Sequence, residues 1–457
     1  MIPIVSPEQM AVIDAAALEP VDVLIERAGA AVAQGAIELL GGTYGRRVVV
    51  LAGKGNNGSD GRAAARRLEA RGVAVTVIDA ARLPACVPPC DLVVDAAYGT
   101  GFRGTFNAPD LPQPPPLVLA VDIPSGVSGL TGTSAGRPLA ARRTVTFAAL
   151  KPGLLLGEGP ELAGDVTVAD IGLDTSSVAA HLVEGVDVAR WLRARPRSSH
   201  KWRAACWILA GSPGMTGAAH LASRAAQRAG AGYVRLSSPG VDDDPMKPTE
   251  AVGHPLAGDR WARDVLGDLE RFAALAIGPG LGTATSTTDA VRQVIGEARV
   301  PTVIDGDALT ALGTDAAEVL GHRHPSAGPA VLTPHDGEFA RLTGHAPGPD
   351  RIDAARNLAV EVGALVLLKG SATVIAAPDG QVLVTNTGDS RLATAGTGDV
   401  LTGTIAALLA QGTAGMEAAA ASAYLHGRAG ALAWRRGLVA GDLVDLLPAA
   451  LAELPED

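Results

Sequence analysis

Cysteine is nearly missing from this chain of 457 residues, which carries only Cys86, Cys90 and Cys206. So small and odd a number builds no disulfide framework and suits a reducing cytoplasm. Cys86 and Cys90 share the segment ACVPPC with no second ligand pair beside it, which argues against a zinc site. Aromatic residues are scarce too, at 3%. Ala, Val and Leu must then fill the interior, as they do in closely packed α/β layers. Positive charge is in deficit: the formal net charge is −10, with no long run of either sign. A nucleic acid or an anionic membrane would find no electrostatic attraction here. The apolar stretches are interrupted by Gly, Gln or charges, and the opening MIPIVSPEQM lacks the basic start and apolar core of a signal peptide. These absences leave a small-molecule ligand as the expected partner, with neither nucleic acid nor membrane involved.

The length exceeds what one hydrophobic core serves, so two domains are expected. From Ser6 to Leu40 the pattern is helical, with Ser6 placed to cap and Pro7 to take the first position. Short apolar runs at 48–51, 75–78, 92–94, 117–121 and 145–147 then alternate with glycine-rich loops or helical stretches, as in a mostly parallel sheet. A polar, basic, proline-bearing stretch from Trp191 to Trp202 reads as a linker. A second series of runs follows at 207–210, 275–277, 302–304, 331–332 and 365–368. The sequence thus predicts two α/β domains in tandem, residues 1–195 and 196–457.

Two glycine loops carry the chemistry. In LAGKGNNGSDG, Gly53, Gly55 and Gly58 keep the G-x-G-x-x-G spacing after an apolar run and ahead of a helix expected from Gly61 to Ala70. Asp79 follows about 20 residues later, where a ribose-binding acid would stand. Asp60 and Asn57 are poor company for a bare pyrophosphate, so the usual dinucleotide pose is doubtful. Asp95 and Asp122 close two other runs and can face the same crevice as Asn57, because ligands of open α/β sheets lie beyond the carboxyl ends of the strands. In ATAGTGDVLTG, Asp399 stands at the first turn of an apolar helix. The amides of Ala395, Gly396, Thr397 and Gly398 would form an anion hole for a phosphoryl group in transit. A carboxylate there can take a proton from an attacking hydroxyl, or it can simply cap the helix.

Taken with AGTGDVLTG, the segments AGSPGMTGAAHLASRAAQRAGAGYV, AIGPGLG, VIDGDAL, LTPHDGEFARL and LLKGSATVIA resemble the ribokinase-like NAD(P)H-hydrate dehydratases. LIERAG, GKGNNGSDG, VVDAAYGTGFRG and VDIPSGVSGLTG resemble the NAD(P)H-hydrate epimerases, and together the motifs resemble the bifunctional repair enzymes over nearly the whole chain. The resemblance implies a Rossmann-like three-layer domain followed by a ribokinase-like α/β domain. It also implies two substrates, the hydrated cofactors NADHX and NADPHX. In the first domain it implies that Asn56, Asn57, Gly58, Ser59, Asp60 and the stretch Gly99, Thr100, Gly101, Phe102, Arg103, Gly104, Thr105 bind the hydrate. Asp122 would carry a proton at its hydroxyl, and Asn57, Asp95 and Ser125 would hold a potassium ion. Ser59 replaces a glycine usual in that loop, a costly change if the backbone there needs positive φ. In the second domain Ala218, Gly282, His335 and Asp399 would contact the hydrate, with Asp399 as the base. Lys369, Gly370, Ser371, Ala372, Thr373 and Gly398 would contact the nucleotide. That nucleotide would be ADP, with ATP as the alternative, and magnesium would accompany it. His335 also suits a helix cap, and Asp336 stands where proline is common. Lys151 either reaches the first site or lies on the surface. His322 and His324, in GHRHP, are expected to be exposed. A cytoplasmic homo-oligomer is expected. The competing reading keeps the fold and makes the second domain a kinase for a vitamin alcohol, fused to a non-catalytic binding domain.

Overall fold

The computed structural model describes residues 1–192, 194–256 and 261–455. The chain divides into two compact units, Ile2–Ala180 and His181–Asp457 with Met1. The division falls ahead of the 191–202 stretch, because the helix Gly185–Trp191 already packs on the last helices of the second unit.

In the first unit, the predicted N-terminal helical run is two helices, α1 (Pro7–Ala15) and α2 (Val21–Leu40), parted before Pro20. Ser6 caps α1: its side chain accepts from the Gln9 N–H at 3.1 Å and the Gln9 side chain answers at 2.8 Å. Next come β1 (Arg47–Ala52), α3 (Asn56–Glu69), β2 (Ala74–Asp79), β3 (Leu92–Ala96), β4 (Leu117–Val121), β5 (Arg143–Phe147) and β6 (Asp165–Ala169). The sheet order is β2-β1-β3-β4-β5-β6, and the neighbours run parallel. Strand order therefore reverses between β1 and β3, the place where such sheets open a crevice at their carboxyl edge. The start of α3 and the loops after β3 and β4 carry Asn57, Thr100 and Asp122 to that edge. Apolar side chains on both faces form two cores, one under α2 and α3 around Val48, Val50 and Leu119, the other around Val49, Leu51 and Val93.

The second unit builds on β7 (Ala205–Leu209), α4 (Thr216–Arg228), β8 (Tyr233–Ser237), β9 (Ala274–Ile277), α5 (Thr285–Glu297), β10 (Thr302–Ile304) and α6 (Asp307–Leu312). It continues with β11 (Ala330–Leu332), α7 (Asp336–Thr343), α8 (Arg351–Val362), β12 (Leu365–Leu368), β13 (Thr373–Ala376) and β14 (Val382–Thr385), and ends in α9 (Thr397–Ala410), α10 (Gly415–Leu432) and α11 (Ala440–Ala452). The order β8-β7-β9-β10-β11-β12 is parallel, and β13 and β14 add antiparallel to its edge. Strands β8, β13 and β14 are not among those expected from the sequence. Helix α9 is buried along almost its entire length in the largest core, so a nearly all-apolar sequence becomes a central helix that fixes where its first turn points. Among the described residues no helix is long and apolar enough to cross a membrane.

Candidate functional sites

At the carboxyl edge of the first sheet lies a cavity of roughly 500 Å³. Asn56, Asn57, Asp60, Gly99, Thr100, Gly101, Phe102 and Asp122 line it, together with Asp14 and Lys151. The helix expected from Gly61 begins five residues earlier, at Asn56, so the whole NNGSD segment is its first turn. The glycines serve close packing. A Cβ on Gly53 would stand 2.0 Å from the Ala97 carbonyl oxygen, and one on Gly58 2.0 Å from that of Gly53. Ser59 is helical and its hydroxyl reaches the Gly55 carbonyl at 3.4 Å; the positive φ that would have penalised it does not occur. Gly58 and Ser59 do not line the cavity, and Arg103, Gly104 and Thr105 are exposed beside it, where Arg103 pairs with Glu8 at 3.5 Å.

Asp122 sits just past β4 with φ 68°, an uncommon conformation for a residue with a side chain. Such strain gathers at functional sites. Its carboxylate accepts from the Thr100 N–H at 3.0 Å and the Thr146 hydroxyl at 3.1 Å, and meets the Lys151 ammonium at 2.8 Å. Lys151 is 1% exposed and also donates to the Phe147 and Ala149 carbonyls. The side chain is therefore not a surface lysine and forms part of the cavity wall. Burial alone would raise the Asp122 carboxyl, but Lys151 and the hydrogen bonds outweigh it and hold it below the usual range. Asp60 is the opposite case. Burial, with the charges of Asp122 and Asp14 nearby, pushes it up to about 8.

Beneath them Asp95 is fully buried. It accepts from the Ser125 hydroxyl at 2.6 Å and the Ser125 N–H at 2.9 Å. Burial raises its carboxyl despite these bonds. Both polar atoms of the Asn57 side chain are buried without a partner, a costly state that a ligand at the site would relieve. An amide oxygen, a carboxylate and a hydroxyl make an all-oxygen donor set, which suits a hard cation. No group of three or more His, Cys, Asp or Glu arranged to hold a metal occurs among the described residues.

The second site gathers where β10, β11 and β12 end against the first turn of α9. Gly396 takes φ 89° as the cap residue, a left-handed turn that glycine adopts freely. Helix geometry leaves the N–H groups that follow without intrahelical acceptors. That of Thr397 turns back to the Thr394 carbonyl at 3.3 Å, so it is the least available of the four expected in the anion hole. His426 contacts the Thr397 carbonyl at 2.9 Å and burial lowers it to about 4, so at neutral pH it is an uncharged donor. Asp399 has its carboxyl raised to about 7 by burial first, then by Asp305, with Glu338 and Asp307 adding to the push and Lys369 opposing it.

Lys369 ends β12. Its ammonium lies 2.8 Å from Asp305 and 3.5 Å from Glu338. Burial would lower it, but these two carboxylates hold it above its ordinary value. From Lys369 the hairpin passes through Gly370, Ser371 and buried Ala372 to Thr373, where β13 starts. His335 caps α7, accepting from the Gly337 and Glu338 N–H groups at 3.0 and 3.3 Å, while its own N–H donates to Glu338 at 2.8 Å. Its ring remains more than half exposed, so the cap leaves one edge free. The extra charge of Asp336 is met by Arg351 at 2.8 Å. The Gly282 N–H donates to Asp307 at 2.8 Å, and Ala218 lies in the first turn of α4. Asp305 and Glu338 were not among the residues singled out as functional. The first was legible as another strand-end acid in VIDGDAL; the second shows no signal until the fold buries it. His322 and His324 are exposed.

Both units resemble known proteins. The model for NAD(P)H-hydrate dehydratase matches residues 206–451, and that for the YjeF-related protein N-terminus matches 21–87 and 78–153. The bifunctional NAD(P)H-hydrate repair enzyme of Moorella thermoacetica is 41% identical over 96% of this chain and 94% of its own. That of Salinibacter ruber is 35% identical over 94% and 92%. Among solved structures, the ADP/ATP-dependent NAD(P)H-hydrate dehydratase of Bacillus subtilis, co-crystallised with ATP and Mg2+, aligns with 60% of this chain and 98% of its own, at 32% identity and a TM-score of 0.52.

Proposed function

The chain belongs to the family of bifunctional NAD(P)H-hydrate repair enzymes, and from that premise we propose how its two sites divide the work. The first unit interconverts the R and S forms of NADHX and NADPHX. The second dehydrates the S form at the expense of a nucleotide.

In the first cavity the hydrate carries its hydroxyl on C6, a carbon also bonded to the ring nitrogen. Inversion requires breaking and remaking a bond there, with the nitrogen lone pair assisting departure. The C6–O bond breaks to release hydroxide; Asp122, kept ionised by Lys151, takes a proton from the water that adds to the opposite face of C6 and passes it to the released hydroxide. The loop Gly99–Thr105 and the first turn of α3 enclose the ring. Asn57, Asp95 and Ser125 would hold a potassium ion, whose charge would offset the crowded carboxylates.

In the second site hydroxide is a poor leaving group and phosphate a good one. Asp399 removes the hydroxyl proton as its oxygen attacks the terminal phosphorus of the nucleotide, and the amides at the start of α9 meet the charge that develops. Phosphate then leaves with the C6–O electrons, and loss of a proton from the neighbouring carbon restores the conjugated ring. With ADP the products are NAD(P)H, AMP and phosphate. Lys369 and the hairpin through Thr373 contact the nucleotide, with Gly398. His335, Ala218 and Gly282 contact the hydrate. Magnesium would be held largely by nucleotide phosphates and water. A cytoplasmic homo-oligomer remains part of the proposal.

The observation that carries the reading is Asp399, an acid that forms no salt bridge among the described residues and is raised to about 7 in the first turn of α9, beside the helix-terminal amides. Mixed hydrate epimers incubated with ADP should recover the full absorbance of the reduced nicotinamide and release inorganic phosphate. A kinase of a vitamin alcohol would accumulate a phosphoester instead. Asp399→Asn should lower the rate by a factor on the order of 10³ while binding ADP nearly as well as the wild type. Substantial residual turnover would remove Asp399 as the base.

A further inference from the structure

One carboxylate of the second site has no part in the chemistry just described. Asp305, at the end of β10, is 3% exposed and fully engaged. Its Oδ1 accepts from the Thr333 hydroxyl and from the Lys369 ammonium, both at 2.8 Å, and its Oδ2 accepts from the Thr402 hydroxyl at 2.7 Å. These partners come from three elements: the end of β11, the end of β12 and the second turn of α9. Thr402 lies three residues after Asp399, so it shares that residue's face of the helix. A Cβ on Gly398 would stand 3.5 Å from the Lys369 ammonium and 3.8 Å from Asp305 Oδ2, which puts lysine and acid directly against the first turn.

We propose that Asp305 is the positioning residue of the dehydratase site: it ties the nucleotide-side lysine to α9, and by occupying that lysine it leaves Asp399 unpaired. The inference rests on the dehydratase reading above. Two consequences follow from the geometry. The ammonium is aimed by a buried acid and not by the base it stands beside, so it can face phosphate without quenching Asp399. Thr402 fixes the turn below Asp399, so the base and the amides beside it are held as one piece with the lysine.

The groups around Asp399 are Asp305 from β10, Lys369 from β12, Glu338 from α7 and Asp307 from α6. Removing the charge of Asp305 both deletes a negative neighbour and releases Lys369 toward Asp399. Each change favours the ionised base and weakens it.

The test measures kcat against pH for the full-length enzyme with S-hydrate and saturating ADP. In Asp305→Asn the acid limb should move down by about one pH unit or more, and the plateau should fall on the order of tenfold to a hundredfold. The KM for ADP should change less than kcat, because Lys369 remains. A folded Asp305→Asn protein with the wild-type acid limb would overturn the proposal. Should that variant fail to fold, Thr402→Val decides. It should lose about tenfold in kcat with its acid limb unmoved, and Thr402→Ser should restore the rate. A wild-type rate in Thr402→Val overturns the tie to α9. Turnover that survives Asp399→Asn would bring down the assignment of Asp399 as base and this inference together, whereas loss of turnover there with an unmoved limb in Asp305→Asn brings down the inference alone.

Discussion

The two sites use the same parts, a strand-end or helix-start aspartate and a neighbouring lysine, but connect them differently. In the first unit Lys151 meets Asp122 directly, and the acid is held below its usual range. In the second, Lys369 is occupied by Asp305 and Glu338, and Asp399 stands near 7. What a carboxylate can do is set by which acid the neighbouring ammonium is paired with, and proximity alone does not decide it. A carboxylate that rests ionised near neutrality and takes a proton only in passing suits proton exchange at a substrate it holds in either configuration. One poised near neutrality suits a base that must take a proton fully as a bond to phosphorus forms.

The contrast breaks most severely at Lys151. Lys151→Met would strand Asp122 in a buried setting, and removing one partner of such a pair costs about 3 kcal/mol. Chemical denaturation should show that loss, and epimerisation, followed by chromatography of the two epimers, should fall by about two orders of magnitude or more. If Lys151→Met epimerises at the wild-type rate, the pair is structural only.

The next effect is in pH dependence. Dehydration should gain activity as pH rises through about 7, where Asp399 ionises. Epimerisation should show no such limb, because Asp122 is already ionised well below neutrality. Equal acid limbs in the two half-reactions, measured on one preparation, would erase the contrast.

Asp60 sharpens it through stability. Its folded value, about 8, lies above the value near 4 expected of an unfolded chain. Stability is therefore fully present below pH 4 and lost as pH rises toward 8. Asp60→Asn escapes that loss, so calorimetry should find its melting advantage growing from pH 4 to 8, by on the order of a few degrees, and flat above. The smallest effect is expected at Ser59. Because Ser59 is helical, Ser59→Gly should cost about 0.5–1 kcal/mol, and epimerisation should stay within about threefold of wild type. A large gain in rate would mean that the loop does need a glycine there.

Much of this was legible before any coordinates. Residues 48–51, 92–94 and 117–121 read as strands because unbroken apolar runs between turn signals are what a sheet covered on both faces requires. Asp399 read as a helix-start acid because Gly396 and Gly398 precede an apolar helix. The start of α3 was placed late, since Asn, Gly, Ser and Asp have weak helix propensity and packing against β1 and β3 overrides it. Lys151 stayed ambiguous because a lone lysine carries no periodic signal, and its environment comes from residues far away along the chain.

The sequence by itself determined two α/β layers, the glycine turns and the acids at the carboxyl ends of the strands, because these depend on local periodicity and on which residues a tight turn tolerates. Only the tertiary structure decided which acid each lysine neutralises. Asp305 is 64 residues from Lys369 and 97 from Thr402, and a charge's effect depends on distance and burial through space, which no spacing along the chain records.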